Sequence, residues 1–138
     1  MLLGRRTYEA WGDYWPGVSA EQDPFAGYIN SVQKYVVSTT LREPLAWQPT
    51  ELLRGIDEVQ KVKDQPGRDI AISGSITLVG SLLREGLLDE LSLLLEPIVL
   101  GKGKRLYEDP SGSIGLKLVE SRTLDNGVLH LRYERAAS

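Results

Sequence analysis

The sequence contains no cysteine and only one histidine, one methionine and one phenylalanine in 138 residues. The absence of cysteine excludes disulfides, thiolate nucleophiles and cysteine-ligated metals, and it fits a reducing cytoplasm. With His130 alone, there is little scope for a transition-metal site or a Ser-His-Asp triad. Long apolar runs are also missing. Leu91 to Leu95 is interrupted by Ser92 and followed by Glu96-Pro97, far short of the ~20 residues of a membrane-crossing helix. The opening Met1-Leu2-Leu3-Gly4-Arg5-Arg6 has no apolar stretch of secretory-leader type. An excess of basic charge is lacking too. The formal net charge is −3 with both signs mixed along the chain, so neither nucleic acid nor a membrane surface is the expected main partner.

What is present is an ordinary globular composition, 41% hydrophobic and 25% charged, in a chain of one-domain length (1–138) that can bury a sizeable core. Its organising stretch is Ile70 to Leu78, which reads as a short buried strand, the central one at Asp69 to Ser73, that breaks at Ser73-Gly74 and turns at once into a helix. Such a turn presents unpaired amides and the positive end of the helix dipole, a generic anion site. Ser75 suits the helix cap, and Gly74 permits close approach to the backbone. Many such turns bind nothing.

Leu2-Leu3 followed by Gly4 reads as a second strand-to-helix turn. The helix is expected from Arg5 to Trp11, with Thr7 as a possible cap and Gly12 as its end. Tyr14 to Gln33 reads as loop with a helical turn near Phe25 to Ile29. Lys34 to Ser38 is a strand by its β-branched and aromatic content, and Thr39-Thr40 follows it. Trp47 is expected to pack on the domain, Thr50 to Leu53 to be extended, and Ile56 to Lys63 to form an amphipathic helix. The helix from Ser75 should close at Gly86. Leu87 to Leu100 reads as a strand buried on at least one face, Leu106-Tyr107 as a helical turn, and Asp109-Pro110-Ser111-Gly112 as loop. Leu116 to Thr123 and Val128 to Glu134 form a hairpin about Asp125-Asn126-Gly127, with His130 on its wet face.

This order predicts a three-layer α/β fold whose mostly parallel central sheet ends in an antiparallel C-terminal hairpin. Ligands of such sheets sit beyond the C-terminal strand edges. Gly4-Arg5-Arg6-Thr7, Ser38-Thr39-Thr40 and Ser73-Gly74-Ser75-Ile76-Thr77 gather there. Guanidinium groups suit a phosphate, and two positive charges at a helix start oppose its dipole, which favours ligand contact over a stabilising role. Lys102 and Lys104 fit a phosphate contact or a solvated loop equally well. Asp89-Glu90 lies at the opposite edge and reads as structural. Asp13, Tyr14 and Trp15 could face a substrate, although loop packing is the stronger reading.

Seven segments, in order along the chain, carry a family resemblance. They are Leu3 to Glu9, Tyr14-Trp15-Pro16, Lys34 to Ser38, Ile72 to Ser75, Gly86 to Leu91, Pro97 to Gly103 and Asn126-Gly127-Val128. Together they resemble the dihydrofolate-reductase-like domains grouped with the C-terminal reductase domain of the riboflavin-biosynthesis deaminase/reductase. Ile72-Ser73-Gly74-Ser75 has the pattern of stand-alone relatives. The resemblance implies NADPH as cofactor, with Gly4, Arg5, Arg6 and Thr7 at its phosphates, Ser38 and Thr39 beside the adenosine half, and Gly74, Ser75, Ile76 and Thr77 under the pyrophosphate. It also implies a cytoplasmic homodimer, which the apolar Leu91 to Leu95 could help to form. The implied activity is hydride transfer to a small heterocycle, of ribosylaminopyrimidine or pterin type, as in a phosphoribosylaminouracil reductase. The family's leading strand and loop have no counterpart ahead of Leu2-Leu3, so the domain is expected to be N-terminally incomplete. No catalytic residue is identifiable, and a non-catalytic nucleotide-binding or interaction module is the alternative.

Overall fold

Strand β1 (Leu2–Gly4) is fully buried and runs directly into helix α1 (Arg5–Tyr14). The computed structural model describes residues 1–108 and 112–136. The chain divides into two compact units, Met1–Val79 and Gly80–Ser138.

In the first unit, β1, β2 (Lys34–Val37) and β3 (Thr50–Leu53) form a parallel sheet in that order. Gly4 stands opposite Val37, so the residues after β1 and β2 emerge at the same sheet edge. Helix α2 (Pro24–Ser31) starts at Asp23, whose carboxylate accepts from the Phe25 amide at 2.9 Å, and has Pro24 at its first position. Helix α3 (Asp57–Lys63) carries acidic residues in its first turn and lysines in its last, matching its dipole.

The core of this unit is Leu3, Tyr8, Ile29, Val36, Leu45 and Trp47. Trp47 packs as expected. The Tyr8 hydroxyl donates to the Trp47 carbonyl and accepts from its amide at 3.1 and 3.0 Å. The Trp47 indole donates to Asn30.

Several local expectations are corrected. Gly12 does not end α1, which continues to Tyr14, because Trp47 packs beside Gly12 and supports the extra turn. Thr7 is no cap; it is the third residue of the helix, and Gly4 holds the N-cap position without a side-chain bond. The strand expected at Asp69–Ser73 reduces to one parallel bridge between Leu2 and Ile72, with the Leu2 amide donating to Ala71 O at 2.8 Å. Ala71 is exposed, so this segment lacks the burial that a ladder on both sides would give.

Helix α4 (Ile76–Arg84) links the units. It ends where Gly86 adopts φ +70°. The Leu87 amide bonds Leu82 O and the Gly86 amide bonds Leu83 O, which satisfies the last carbonyls. In the second unit, β4 (Glu90–Leu95), β5 (Leu116–Thr123) and β6 (Leu129–Arg135) form an antiparallel sheet of order β4-β6-β5. The β5–β6 turn is built on Gly127 at φ +80°. The strand expected over Leu87–Leu100 is confined to β4, since Glu96-Pro97 removes a donor and breaks the pattern. Leu94, Leu95, Ile98, Val99 and Leu100 are exposed rather than buried. No helical turn forms at Leu106-Tyr107, and of the loop expected over 109–112, residues 109–111 lie outside the described ones. His130 is half-buried, because it bonds to a neighbouring strand.

Candidate functional site

The end of β1 and the start of α4 meet. A Cβ at Gly4 would collide with Ser75 Oγ and stand 2.8 Å from Ser75 Cβ. Gly4 therefore lets the two turns touch. A Cβ at Gly74 would lie 3.5 Å from Thr7 Oγ1, so Thr7 is a direct neighbour of Gly74. Gly74 and Ser75 have φ of +76° and +60°. Glycine takes this conformation freely, whereas serine pays for it. Held there, Ser75 accepts a 3.3 Å bond from the Leu78 amide through Oγ and caps α4 as expected. The amides of Ser75 and Ile76 have no hydrogen-bond partner among the described residues. Two unpaired amides and the positive end of a nine-residue helix form an anion-binding donor set.

Four of the ten candidate residues, Gly4, Thr7, Gly74 and Ser75, thus come together, and Ile76 and Thr77 continue the same turn into the exposed start of α4. Arg5 and Arg6 occupy the first turn of α1, which contains no acidic residue. Arg5 pairs with Glu9 at 2.9 Å with both side chains about half exposed. Arg6 is exposed and makes no ion pair or hydrogen bond among the described residues. Ser38 follows β2 at the same edge, but its hydroxyl closes its own loop. It accepts from the Thr40 and Leu41 amides at 3.2 and 3.0 Å and is buried. Thr39 is exposed.

The residue type most easily overlooked in the sequence is Lys34, which is fully buried. Its ammonium donates to Ile29 O and Val32 O at 3.1 and 3.0 Å, reaches Gln48 O at 3.5 Å, and lies 4.6 Å above the Trp47 ring. Burial holds its pKa below the ordinary lysine value. The only signal in the sequence is a lysine leading an apolar strand.

In the second unit an open cavity of about 360 Å³ is lined by Gly86, Leu88, Asp89, Glu90, Glu134 and Arg135. Glu90 pairs with Arg132 at 3.7 Å, in keeping with a structural role. Ser92 Oγ lies 2.6 Å from His130 Nε2, while the Arg122 guanidinium faces Nδ1 at 3.5 Å. A guanidinium only donates, so Nδ1 accepts and Nε2 carries the proton toward Ser92. The histidine is the donor in this pair, and Ser92 is not an activated nucleophile. Among the described residues no group of three or more metal-ligating side chains occurs, and no helix is long and apolar enough to cross a membrane.

Residues 1–130 match the RibD C-terminal domain family. The chain belongs to that family. It is 36% identical over 139 residues to the uncharacterized protein YyaP of Bacillus subtilis strain 168, an alignment covering 96% of this chain and 72% of YyaP. It is 30% identical over 76 residues to the uncharacterized protein YwjB of the same organism, covering 55% of this chain and 43% of YwjB. Among solved structures, a putative riboflavin biosynthesis protein from Shewanella sp. PV-4 superimposes with a TM-score of 0.76 at 21% identity, over 99% of this chain and 73% of that one. A pyrimidine reductase-like protein from Corynebacterium diphtheriae gives 0.61 at 13% identity, over 99% and 75%. The fold of this RibD C-terminal domain is therefore dihydrofolate-reductase-like, as the sequence predicts.

Proposed function

We propose that this RibD C-terminal domain is an NADPH-dependent reductase that transfers hydride to a small heterocycle of aminopyrimidine or pterin type, acting as one dihydrofolate-reductase-like domain in a cytoplasmic homodimer. The observation that carries the reading is the contact of the two turns, Gly4 against Ser75 and Thr7 against Gly74. It puts unpaired amides, a helix N-terminus and the unengaged Arg6 on neighbouring segments of one unit. That donor set fits a pyrophosphate plus a further phosphate, which is what distinguishes NADPH from NADH. Family membership and the reductase-like structural relatives point the same way.

In this reading Gly74, Ser75, Ile76 and Thr77 hold the pyrophosphate, and Arg5, Arg6 and Thr7 hold the phosphates nearer α1. Thr39 borders the adenosine half with its exposed side chain. Ser38 holds the shape of that loop with a hydroxyl already bonded to Thr40 and Leu41. Bound NADPH would supply the hydride, so the residues of this chain need mainly to bind and orient it. The decisive experiment is a fluorescence titration with NADPH and NADH, followed by turnover assays on aminopyrimidines and pterins. Tighter binding of NADPH, weakened at least about tenfold by Arg6→Ala, is the expected result. Folded protein that binds neither nucleotide overturns the proposal. Binding without turnover would make the chain a nucleotide-binding module.

A further inference from the structure

Half of the aromatic side chains in this protein stand in one cluster outside the cofactor turns. Trp11, Tyr14, Trp15, Phe25 and Tyr28, from α1, the turn that follows it and α2, contact one another with ring centroids 5.0–6.4 Å apart. Trp11 and Trp15 rest on the core, while Tyr14, Phe25 and Tyr28 are 61%, 38% and 47% exposed. The Tyr14 and Tyr28 hydroxyls have no hydrogen-bond partner among the described residues. An exposed aromatic patch of this kind marks an interaction surface.

Its electrostatics select the partner. From Thr7 to Gln33 the chain has no lysine or arginine, and of its four carboxylates Glu9 is paired with Arg5 and Asp23 caps α2, which leaves Asp13 and Glu21. The cations that bracket this stretch are spoken for or belong elsewhere. Lys34 is buried beneath Trp47, Arg5 is paired with Glu9, and Arg6 lies at the cofactor turn. Exposed aromatic rings on a stretch of chain that carries the exposed carboxylates Asp13 and Glu21 and no cation of its own are complementary to a cation that can lie flat on a ring. Most of the contacts are edge to face, with interplanar angles of 70–89° for Trp11–Trp15, Trp11–Phe25, Tyr14–Trp15 and Trp15–Phe25. At these separations the rings touch one another and leave no gap to sandwich a small cation. The exposed rings, Tyr14, Phe25 and Tyr28, are spread over α1 and α2. That layout favours several guanidinium groups on one chain over a single caged ammonium, because guanidinium is planar and stacks.

We propose that this face docks an extended, arginine-bearing peptide segment of a partner protein. The rings of Tyr14 and Tyr28 take guanidinium groups, and Asp13 and Glu21 supply the opposing charge.

The test uses the full chain and a fluorescein-labelled peptide of alternating arginine and glycine, with the matching glutamine–glycine peptide as reference. Binding is followed by anisotropy and by the emission of Trp11 and Trp15. The arginine peptide should bind, bind more weakly as salt is raised, and perturb tryptophan emission. Tyr14→Ala with Tyr28→Ala should weaken it about tenfold, at roughly a factor of three per exposed cation–π contact. Asp13→Asn with Glu21→Gln should weaken it and flatten its salt dependence. Circular dichroism and NADPH titration should be unchanged in both pairs, and Tyr107→Ala, an exposed tyrosine elsewhere, should leave peptide binding intact. No binding of the arginine peptide overturns the proposal. Equal binding by wild type and the Tyr14/Tyr28 variant also overturns it, since the attraction is then that of a net acidic protein alone.

Discussion

Lys34 shows how one residue ties several segments together. Its ammonium joins the end of α2, through Ile29 O and Val32 O, to the loop before β3, through Gln48 O, under the indole of Trp47. Lys34→Met keeps the stem but leaves these carbonyls without their donor in a buried place. The expected loss is about 2–4 kcal/mol in urea unfolding, the range for breaking one side of a buried charged interaction. The pH dependence has a definite sign. Burial places the folded pKa of Lys34 below its ordinary value of 10.5. Between those two values the unfolded chain binds more protons than the folded one, so wild-type stability rises with pH across that window. Lys34→Met has no such group. The stability difference in favour of wild type should therefore widen from neutral pH to the alkaline end of the window, and a difference that stays flat would refute the role.

Gly4 is the other residue whose identity is dictated by a neighbour. Because its missing Cβ is where Ser75 Oγ sits, Gly4→Ala should push the two turns of the proposed cofactor site apart at a folding cost of about 1–3 kcal/mol. It should also lower NADPH affinity. Gly12→Ala is the control. Its Cβ would meet Trp47 at an ordinary 3.4 Å inside α1, and it should gain about 0.5–1 kcal/mol. Thermal unfolding and NADPH titration of the two variants check both outcomes.

Among the elements, α4 carries the most information for its length. It begins on two residues at positive φ, Gly74 and Ser75, and ends on a third, Gly86. Its two remaining glycine questions have opposite answers. Gly80 lies mid-helix, where a Cβ would meet only Arg84 Nη1 at 3.9 Å, so Gly80→Ala should stabilise by about 0.5–1 kcal/mol. Gly86→Ala would force an L side chain to φ +70° and into the Arg135 guanidinium, at a cost of about 1–2 kcal/mol. Chemical denaturation of the pair is the measurement. The two ends of α4 were legible in the sequence because serine capping and a C-terminal glycine are local chemistry. So was the β5–β6 hairpin, announced by Asn126-Gly127. The extent of α1 was not legible, since Gly12 is a helix breaker until Trp47, 35 residues on, packs beside it. The segment before Gly74 misled for the converse reason. Ile70-Ala71-Ile72 has strand composition, yet it makes only the one bridge from Ile72 to Leu2, and composition does not count partners. At the site, glycine and serine turns were readable as an anion cradle, while the direct contact of Gly4 with Ser75 is a three-dimensional fact that no spacing encodes.

At the scale of the whole molecule, the second unit carries a run of exposed apolar side chains. Leu94, Leu95, Ile98 and Leu100 are each more than half exposed, and Val99 is 97% exposed. They follow one another within seven residues. Strand β4, which holds the first two, pairs with β6 on one side and has no strand on the other among the described residues. A free edge with apolar side chains recruits another chain unless charge, proline or a bulge blunts it. Here Glu96-Pro97 comes only after the strand has ended. This is the physical support for the proposed homodimer, and it makes a prediction independent of cofactor binding. Sedimentation velocity over a concentration series should show reversible self-association. Leu95→Lys combined with Val99→Asp, both at exposed positions, should raise the dissociation constant at least tenfold, about 1.4 kcal/mol or more, with circular dichroism unchanged. The same variant should still titrate with NADPH, because Gly4, Arg6 and Ser75 belong to the other unit. Wild-type protein that remains monomeric across the series would remove the dimer from the proposal and leave the proposed cofactor site untouched.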